Sequence, residues 1–454
     1  MISQVDITSD LGGPKSDVLG IVRVKPVIEN HTRNDKPSLQ DKLRYYLIFG
    51  RVIGILPIQG VFHRGSKLTF KKFSLASCTT LIIALLIGTY AVVNLIQSLR
   101  KNHTNASEIA WAALLPAQYT LGTFCYIIFL INGSKFCNLF STWKNLSRLH
   151  FPVDDTTLSR DVGIWEIIIF ISTISATISW PFLRNKIGWD LHYEYQSWNI
   201  LTLTLNIVTQ YAWNYVDILI GIFARVLYGQ FKGLRETCKK IVHVDGGIKD
   251  EKYLGEDAVF WEFLVNDHGI ICQVMESFKE FLSPIILVTF AANVFWICLV
   301  VILTPFLQVN QLYKFYAIWS FLHVVVRFFT MALLAARVST EAHKFADILE
   351  QCPIEMYTQK VARFERKLQT GRIALSGMNC FSVTKPLILS VIGVLVTFEI
   401  VVLHAIPREM VNITRMPEWG QGIIVWMESD SAEIKYDGPA NINDGTSDIT
   451  KYFK

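Results

Sequence analysis

Several kinds of functional motif are missing from this 454-residue sequence. It has no glycine-rich phosphate loop, no HExxH helix, no nucleophile elbow, and no paired cysteines or histidines at metal-ligand spacing. Its 10 histidines are scattered singly along the chain. Because no group of residues points to catalysis, metal binding or a cofactor, we expect a protein that is not an enzyme and carries none of these.

Charged residues are also scarce. They make up 18% of the chain, whereas hydrophobic residues reach 51% and aromatic residues 13%, more apolar than a soluble domain usually is. The net charge of +5 comes from Lys and Arg that alternate with long apolar runs. This arrangement does not form one continuous basic surface, so we expect no nucleic-acid partner.

Long apolar runs indicate a membrane protein. Runs of about 20 residues cross a hydrocarbon core of about 30 Å. Seven such runs lie near residues 75–99, 110–132, 164–183, 198–228, 283–305, 314–337 and 382–406. The sequence therefore predicts an all-α protein with seven transmembrane helices. A further stretch, 43–62, carries Arg44, Arg51, spaced glycines and Pro57, and we interpret it as an amphipathic segment at the membrane interface.

The distribution of Lys and Arg predicts the orientation. The loops on one side of the predicted membrane contain 21 of these residues and the loops on the other side contain 4. Since the richer side faces the cytoplasm, the N-terminus is predicted inside and the C-terminus outside. All eight cysteines fall in spans or on the inner side, so no extracellular disulfide is expected.

The same pattern divides the chain into three parts. Residues 1–42 are polar, contain no apolar signal-peptide core, and are predicted to form a disordered cytoplasmic tail. Residues 43–406 form the seven-helix domain, and residues 407–454 form an extracellular tail. Within the domain, the segments 229–282 and 338–381 are predicted to be helical extensions into the cytoplasm.

Polar residues recur along the predicted fourth span, "WNILTLTLNIVTQYAWNYVD". At 100° per residue they fall within an arc of about 120°; they are Asn199, Thr202, Asn206, Gln210, Asn214 and Asp217. We call this set the polar stripe. Such residues serve either as interhelical hydrogen-bonding groups or as one wall of a wet or liganded cavity. Asp217, Arg225 and Arg327 lie deeper, and we expect them to form structural ion pairs.

The predicted seventh span ends in "VIGVLVTFEIVVLHAI" and resembles the TYhhhhhQF signature of insect gustatory receptors. Phe398 stands in place of Tyr, and His404 and Ala405 stand in place of Gln and Phe. Three further segments are similar to the sugar-sensing branch of that family: "FGRVIGILPIQGV" at 49–61, "AWNYVDILI" at 212–220 and "VARFERKLQTGRIALSGMNCFSVTKPLIL" at 361–389. The resemblance covers nearly all of residues 43–406.

This resemblance implies a sugar-gated, non-selective cation channel in the plasma membrane of taste neurons. It implies a homo-tetramer, or a hetero-tetramer with other gustatory receptors, with one seventh span per subunit around the pore. Permeant cations and a small sugar are then the expected partners. The sugar itself and the requirement for other subunits stay open.

A sugar site would use the polar stripe and the sixth span. Sugar hydroxyls need donors and acceptors, and sugar C–H faces stack on aromatic rings. The residues predicted to bind the ligand are Asn206, Gln210, Thr202, Trp319, Tyr316, His323, Trp180 and Gln118. For each of them, a purely structural role in helix packing is the alternative.

The predicted pore face contains Thr397, Val401 and His404, which share one side of the seventh span. Helical spacing alone is equally typical of a packing face. The resemblance implies that this side faces the pore, with Val401 as a hydrophobic constriction that closes by expelling water. A titrating His404 would then make the current sensitive to pH.

Two other classes of membrane protein remain alternatives. A seven-helix G-protein-coupled receptor would bind a small ligand, but its N-terminus lies outside, and this sequence has neither a D/E-R-Y nor an N-P-x-x-Y motif. A transporter would be expected to show internal repeats or paired broken helices, and we find neither in the sequence.

Overall fold

The described part of the chain is helical with two short hairpins. The computed structural model describes residues 38–151, 196–242, 257–303 and 311–405, apart from 64, 101–105, 353, 355 and 356, together with 160, 163, 164 and 167. The helices are α1 (Leu39–Lys42), α2 (Arg44–Val52), α3 (Leu75–Arg100), α4 (Ala106–Trp143), α5 (Gln196–Val242), α6 (Asp257–Leu303), α7 (Gln311–His343), α8 (Ala346–Leu349), α9 (Gln359–Thr370) and α10 (Lys385–Ala405). The antiparallel hairpins pair β1 (Ile58–Gln59) with β2 (Thr69–Phe70) and β3 (Ser376–Gly377) with β4 (Phe381–Ser382).

Five stretches of the described chain are long and apolar enough to cross a membrane. They are Leu75–Arg100, Ala112–Arg148, Val259–Ile302, Phe321–Leu349 and Lys385–Val402. Each overlaps one predicted span: the first, second, fifth, sixth or seventh. The predicted fourth span lies within α5, where the polar stripe lowers the apolar content. The predicted third span, 164–183, lies outside the described residues except for two positions.

Two helices are longer than a membrane is thick. Helices α5 and α6 have 47 residues each, which corresponds to about 70 Å against a hydrocarbon core of about 30 Å. The prediction that segment 229–282 contains helical extensions is therefore confirmed for its described residues. In the second extension, α9 begins at a Thr358 side chain that accepts from the Val361 amide, and it buries one apolar face through Val361, Phe364 and Leu368.

Charged contacts join these extensions to each other and to the segment after α4. Glu341 is 2% exposed and forms an ion pair with Arg235, which connects α5 to α7. Asp267 of α6 accepts hydrogen bonds from the backbone amides of His150 and Phe151 at 2.8 and 2.9 Å. Because a buried carboxylate needs partners, these contacts fix how the segment after α4 meets α6.

The helices pack closely around α5. A Cβ atom on Gly122 would lie 2.5 Å from Thr209 Cγ2, so this glycine lets α4 and α5 approach each other. On another side of α5, the Tyr46 ring of α2 stacks on Tyr215 with the ring centroids 4.3 Å apart. The segment that the sequence marks as amphipathic is thus helical over Arg44–Val52, with a buried side that includes Tyr46, Leu47 and Gly50.

Helix α10 is the least covered of the five apolar stretches. In its most apolar 18-residue window 6% of the residues are buried, against 28–44% in the other four. It packs against α6 and α7 through a face that includes Ile388, Val391 and Leu395. The rest of its surface is open to whatever surrounds the single chain.

Candidate functional site

The N-terminal half of the polar stripe contacts neighbouring helices. The Tyr90 hydroxyl of α3 lies 3.1 Å from Thr202 Oγ1. The Gln118 amide of α4 donates to Asn206 Oδ1 at 2.6 Å, and both side chains are buried. The structure therefore brings Thr202, Asn206 and Gln118 into one group of interhelical contacts. These three residues were singled out as ligand-binding candidates, and their polar groups already have partners inside the chain.

The remaining ligand-binding candidates are distributed differently. Gln210 and His323 are half-buried, and Trp319 is 42% exposed. Trp180 lies outside the described residues, and for Tyr316 the structure describes the backbone of α7 but not the side chain.

The C-terminal end of the stripe forms a buried ion pair. Arg327 Nε of α7 lies 2.7 Å from Asp217 Oδ2 of α5, and the two side chains are 6% and 0% exposed. The sequence predicts ion pairs for Asp217, Arg225 and Arg327; the structure pairs Asp217 with Arg327, whereas the Arg225 guanidinium carbon lies 5.2 Å from the centroid of the Tyr228 ring. The two charges neutralise each other in a region of low dielectric constant, which favours the paired state strongly over either charge alone.

Asn293 of α6 completes this pair as a third member. Its amide nitrogen lies 3.3 and 3.4 Å from the two Asp217 oxygens and donates to the Thr289 carbonyl at 2.9 Å. Its amide oxygen accepts from Arg327 Nη2 at 3.2 Å. We call Asp217, Asn293 and Arg327 the ionic triad, and it connects α5, α6 and α7. Sequence reasoning missed Asn293, although a single Asn within the apolar predicted fifth span, 283–305, was a usable signal.

Trp213 covers the arginine of the triad, and a second tryptophan packs against Trp213. The Arg327 guanidinium carbon lies 4.7 Å from the centroid of the Trp213 ring, a cation–π contact. Trp213 in turn meets Trp296 edge to face, with the centroids 5.3 Å apart. The Trp213 ring therefore shields one side of the Arg327 guanidinium from water.

Three buried polar atoms beside the triad have no hydrogen-bond partner among the residues that the structure describes. They are Trp213 Nε1, Asn214 Oδ1 and His323 Nε2. Trp213 and Asn214 lie one turn before Asp217 in α5, and His323 lies one turn before Arg327 in α7. An unsatisfied buried polar group costs about 1–3 kcal/mol. A polar, uncharged ligand or a water molecule would recover that free energy.

The predicted pore face lies on the open side of α10. Thr397, Val401 and His404 are all exposed in the single chain. Thr397 donates to the Gly393 carbonyl at 2.8 Å, and His404 Nδ1 lies 2.9 Å from the Ile400 carbonyl. At 100° per residue these three side chains lie about 145° around the helix from the packed face of Ile388, Val391 and Leu395.

Comparison with known sequences gives one family. Residues 187–413 match the family model described as trehalose receptor. The chain is similar to two Drosophila melanogaster proteins over 44% of its length: gustatory receptor for sugar taste 64f at 24% identity, and gustatory receptor 5a for trehalose at 22%. These matches span 40% and 43% of the relatives' own lengths. Gustatory receptor for sugar taste 61a, from the same fly, is 21% identical over 80% of this chain and 87% of its own.

Comparison with solved structures gives the same fold. The insect olfactory receptor OR5 from Machilis hrabei superposes with a TM-score of 0.62 at 16% identity, covering 80% of this chain and 97% of the receptor. Its complex with eugenol gives the same TM-score at 15% identity. The apolar helices and the family match describe a multi-pass protein of the plasma membrane. The relatives that it matches are receptors, which are not enzymes. With the family model covering half of the sequence, the chain belongs to the trehalose receptor family, the sugar branch of the insect gustatory receptors.

Proposed function

We propose that this chain is a sugar-gated, non-selective cation channel. The observation that carries the proposal is the combination of family and fold: the sequence matches sugar receptors, and the helices superpose on an insect olfactory receptor. The ligand is a neutral sugar that reaches its site from outside the cell. Trehalose is the first probe, because it appears in the family's description and in the name of one relative.

The proposed channel is a tetramer with seven spans per subunit. The N-terminal tail lies in the cytoplasm, residues from about 407 onward lie outside, and the long ends of α5 and α6 project inward. The excess of Lys and Arg in the proposed inner loops supports this orientation. Partner subunits are further copies of this chain or other gustatory receptors.

In the proposed channel, α10 lines the pore. Two observations support this: only 6% of the residues in its most apolar 18-residue window are buried by its own chain, and the helix is long and apolar enough to cross a membrane. The packed face meets α6 and α7, and the face of Thr397, Val401 and His404 points to the central axis. Val401 supplies the hydrophobic constriction that empties of water in the closed state.

The proposed ligand site lies between α5 and α7. Gln210, Trp319 and His323 contact the ligand, and Tyr316 and Trp180 complete the wall. The hydrogen bonds of Thr202 and Asn206 to neighbouring helices hold the α5 wall in place and leave their remaining acceptor sites for the ligand. The ionic triad closes the inner end of the site and contributes no net charge to it.

Outside-out membrane patches test the proposal directly. The chain is expressed alone and together with a second sugar gustatory receptor, the patch is perfused internally with GTP-free solution, and trehalose is applied to the outer face. We expect stepwise single-channel openings carried by Na⁺ and K⁺ alike. A current that requires GTP would favour a G-protein-coupled receptor, and a current without unitary steps that scales with a sugar gradient would favour a transporter. Patches from cells that lack the chain are the control.

A further inference from the structure

A group of three side chains next to the ionic triad has polar atoms without partners. Trp213 and Asn214 are each 3% exposed. The indole Nε1 of Trp213 is a donor, the Oδ1 of Asn214 is an acceptor, and the Nε2 of His323 takes either role according to its tautomer. None of the three atoms has a hydrogen-bond partner in the described part of the chain. A ligand hydroxyl, which both donates and accepts, can satisfy any of the three.

The surroundings of this group carry charges that cancel. Arg327, one turn after His323, is paired with Asp217 at 2.7 Å, and Asn293 bonds to both partners. The guanidinium also lies against the Trp213 ring. A ligand beside these residues therefore meets a neutral, desolvated environment with fixed dipoles. A carboxylate or an ammonium group placed there would have no counter-charge and would pay the cost of desolvation.

The N-terminal half of the stripe gives the contrast. There, Gln118 satisfies Asn206 at 2.6 Å and Tyr90 lies 3.1 Å from Thr202. Helix α5 thus pairs its polar groups near Thr202 and Asn206, and leaves those of Trp213 and Asn214 unpaired among the described residues. Unpaired buried groups are expensive, so their position next to the triad indicates where a ligand supplies the missing partners.

We infer that Trp213, Asn214 and His323 form the deep end of the sugar site and select neutral polyols over sugar acids and amino sugars. This inference rests on the proposed function, because it assumes that a sugar enters between α5 and α7. One ligand hydroxyl accepts from Trp213 Nε1 and donates to Asn214 Oδ1, and a second hydroxyl meets His323. The ionic triad stays paired and sets the charge selectivity without touching the ligand.

The experiment measures binding by purified full-length protein in lipid nanodiscs. Glucose, glucuronate and glucosamine are titrated at one pH where the last two are charged, and trehalose serves as a larger neutral probe. The variants are Trp213→Phe, which keeps an aromatic ring but removes the donor, and Asn214→Leu, which keeps the volume but removes the acceptor. The melting temperature of each unliganded variant reports whether the fold is intact.

Trp261→Phe is the matched control. Trp261 is 2% exposed, and its Nε1 likewise has no partner among the described residues. It lies about 50 Å along α6 from Trp296, far from the triad. The chemical change is identical, so any loss of binding that is specific to Trp213 comes from its position and not from replacing a buried indole.

We expect Trp213→Phe and Asn214→Leu each to weaken neutral-sugar binding about three- to tenfold, with Trp261→Phe unchanged. We also expect glucuronate and glucosamine to bind at least about tenfold more weakly than glucose. Wild-type affinity in both variants, or equal binding of the charged analogues, overturns the inference and leaves the proposed function standing. Sugar binding that drives no current in patches removes the channel proposal and leaves the inference standing. A wild-type chain that binds no neutral sugar overturns the inference together with the sugar ligand.

Discussion

Helices α5 and α10 both carry polar residues within apolar sequence, but the described side chains of the polar stripe in α5 are buried or half-buried, whereas the polar residues of α10 are exposed. In α5, Asn206 and Asp217 are buried and are paired with side chains from other helices. In α10, Thr397 and His404 are exposed and contact only carbonyl groups of their own helix among the described residues.

The difference shows that α5 is surrounded by its own chain, whereas one face of α10 is not. The polar groups of α5 whose contacts are described above are buried or half-buried within one chain. Some form hydrogen bonds that hold the helix bundle together, and others lie beside the triad with no partner among the residues that the structure describes. Those of α10 lie on a surface that its own chain leaves open, and a polar surface facing lipid would be costly. We therefore expect α5 substitutions to change folding or ligand binding, and α10 substitutions to change conduction.

The largest effect is expected in the ionic triad. Arg327→Leu leaves Asp217 buried without a counter-charge, and losing one partner of a buried ion pair costs about 3–5 kcal/mol. The melting temperature of the detergent-solubilised protein should fall steeply, and less protein should reach the cell surface. Surface biotinylation and thermal unfolding measure the two effects.

The double variant Asp217→Leu/Arg327→Leu is the control for this prediction. It removes both charges, and replacing a buried pair by apolar groups is often close to neutral in stability. We expect it to recover most of the melting temperature lost by the single variant. If single and double variants unfold alike, the pair contributes through packing and not through its charges.

A smaller effect is expected at the N-terminal half of the stripe. Gln118→Leu removes the donor to Asn206 and leaves a buried amide oxygen unsatisfied, at a cost of about 1–3 kcal/mol. The melting temperature should drop by less than in Arg327→Leu. The double variant Gln118→Leu/Asn206→Leu should be more stable than Gln118→Leu alone. If the losses of stability in the two single variants simply add up in the double variant, the 2.6 Å contact between Gln118 and Asn206 does not stabilise the fold.

Much of the helical framework follows from the sequence, because apolar length is a local property. Five predicted spans overlap apolar stretches of the structure, and an ion pair among Asp217, Arg225 and Arg327 is expected when opposite charges lie inside a membrane, although only the structure shows that Arg327 is the partner of Asp217. Trp180, the predicted third span except for two positions, residues 1–37 of the N-terminal tail and the whole C-terminal tail lie outside the described residues. Orientation, subunit number and ligand contacts stay predictions.

The details that periodicity did not reveal depend on neighbours distant in sequence. The stripe appears uniform on a helical wheel, but Gln118 and Tyr90 come from other helices and satisfy one half of it. Asn293 does not belong to a row of polar residues on α6, so helical periodicity gives no reason to select it. Its role depends on contacts with two other helices, α5 and α7. Likewise, the short hairpin of β3 and β4 before α10 depends on Met378 and Asn379 adopting positive φ angles of 47° and 59°, a conformation unusual for methionine.

The central claim, that the open face of α10 lines the pore, is tested most directly by the sugar-free current of Val401→Ala against Val396→Ala. Both residues are exposed valines, at 58% and 48%, and they lie about 140° apart on the helix. Neither substitution should change the free energy of unfolding by more than about 0.5 kcal/mol. At matched surface levels, we predict that Val401→Ala leaks cations without sugar, because a wider apolar constriction stays wet, while Val396→Ala stays closed. Equal leak in both variants, or none in Val401→Ala, would contradict the account.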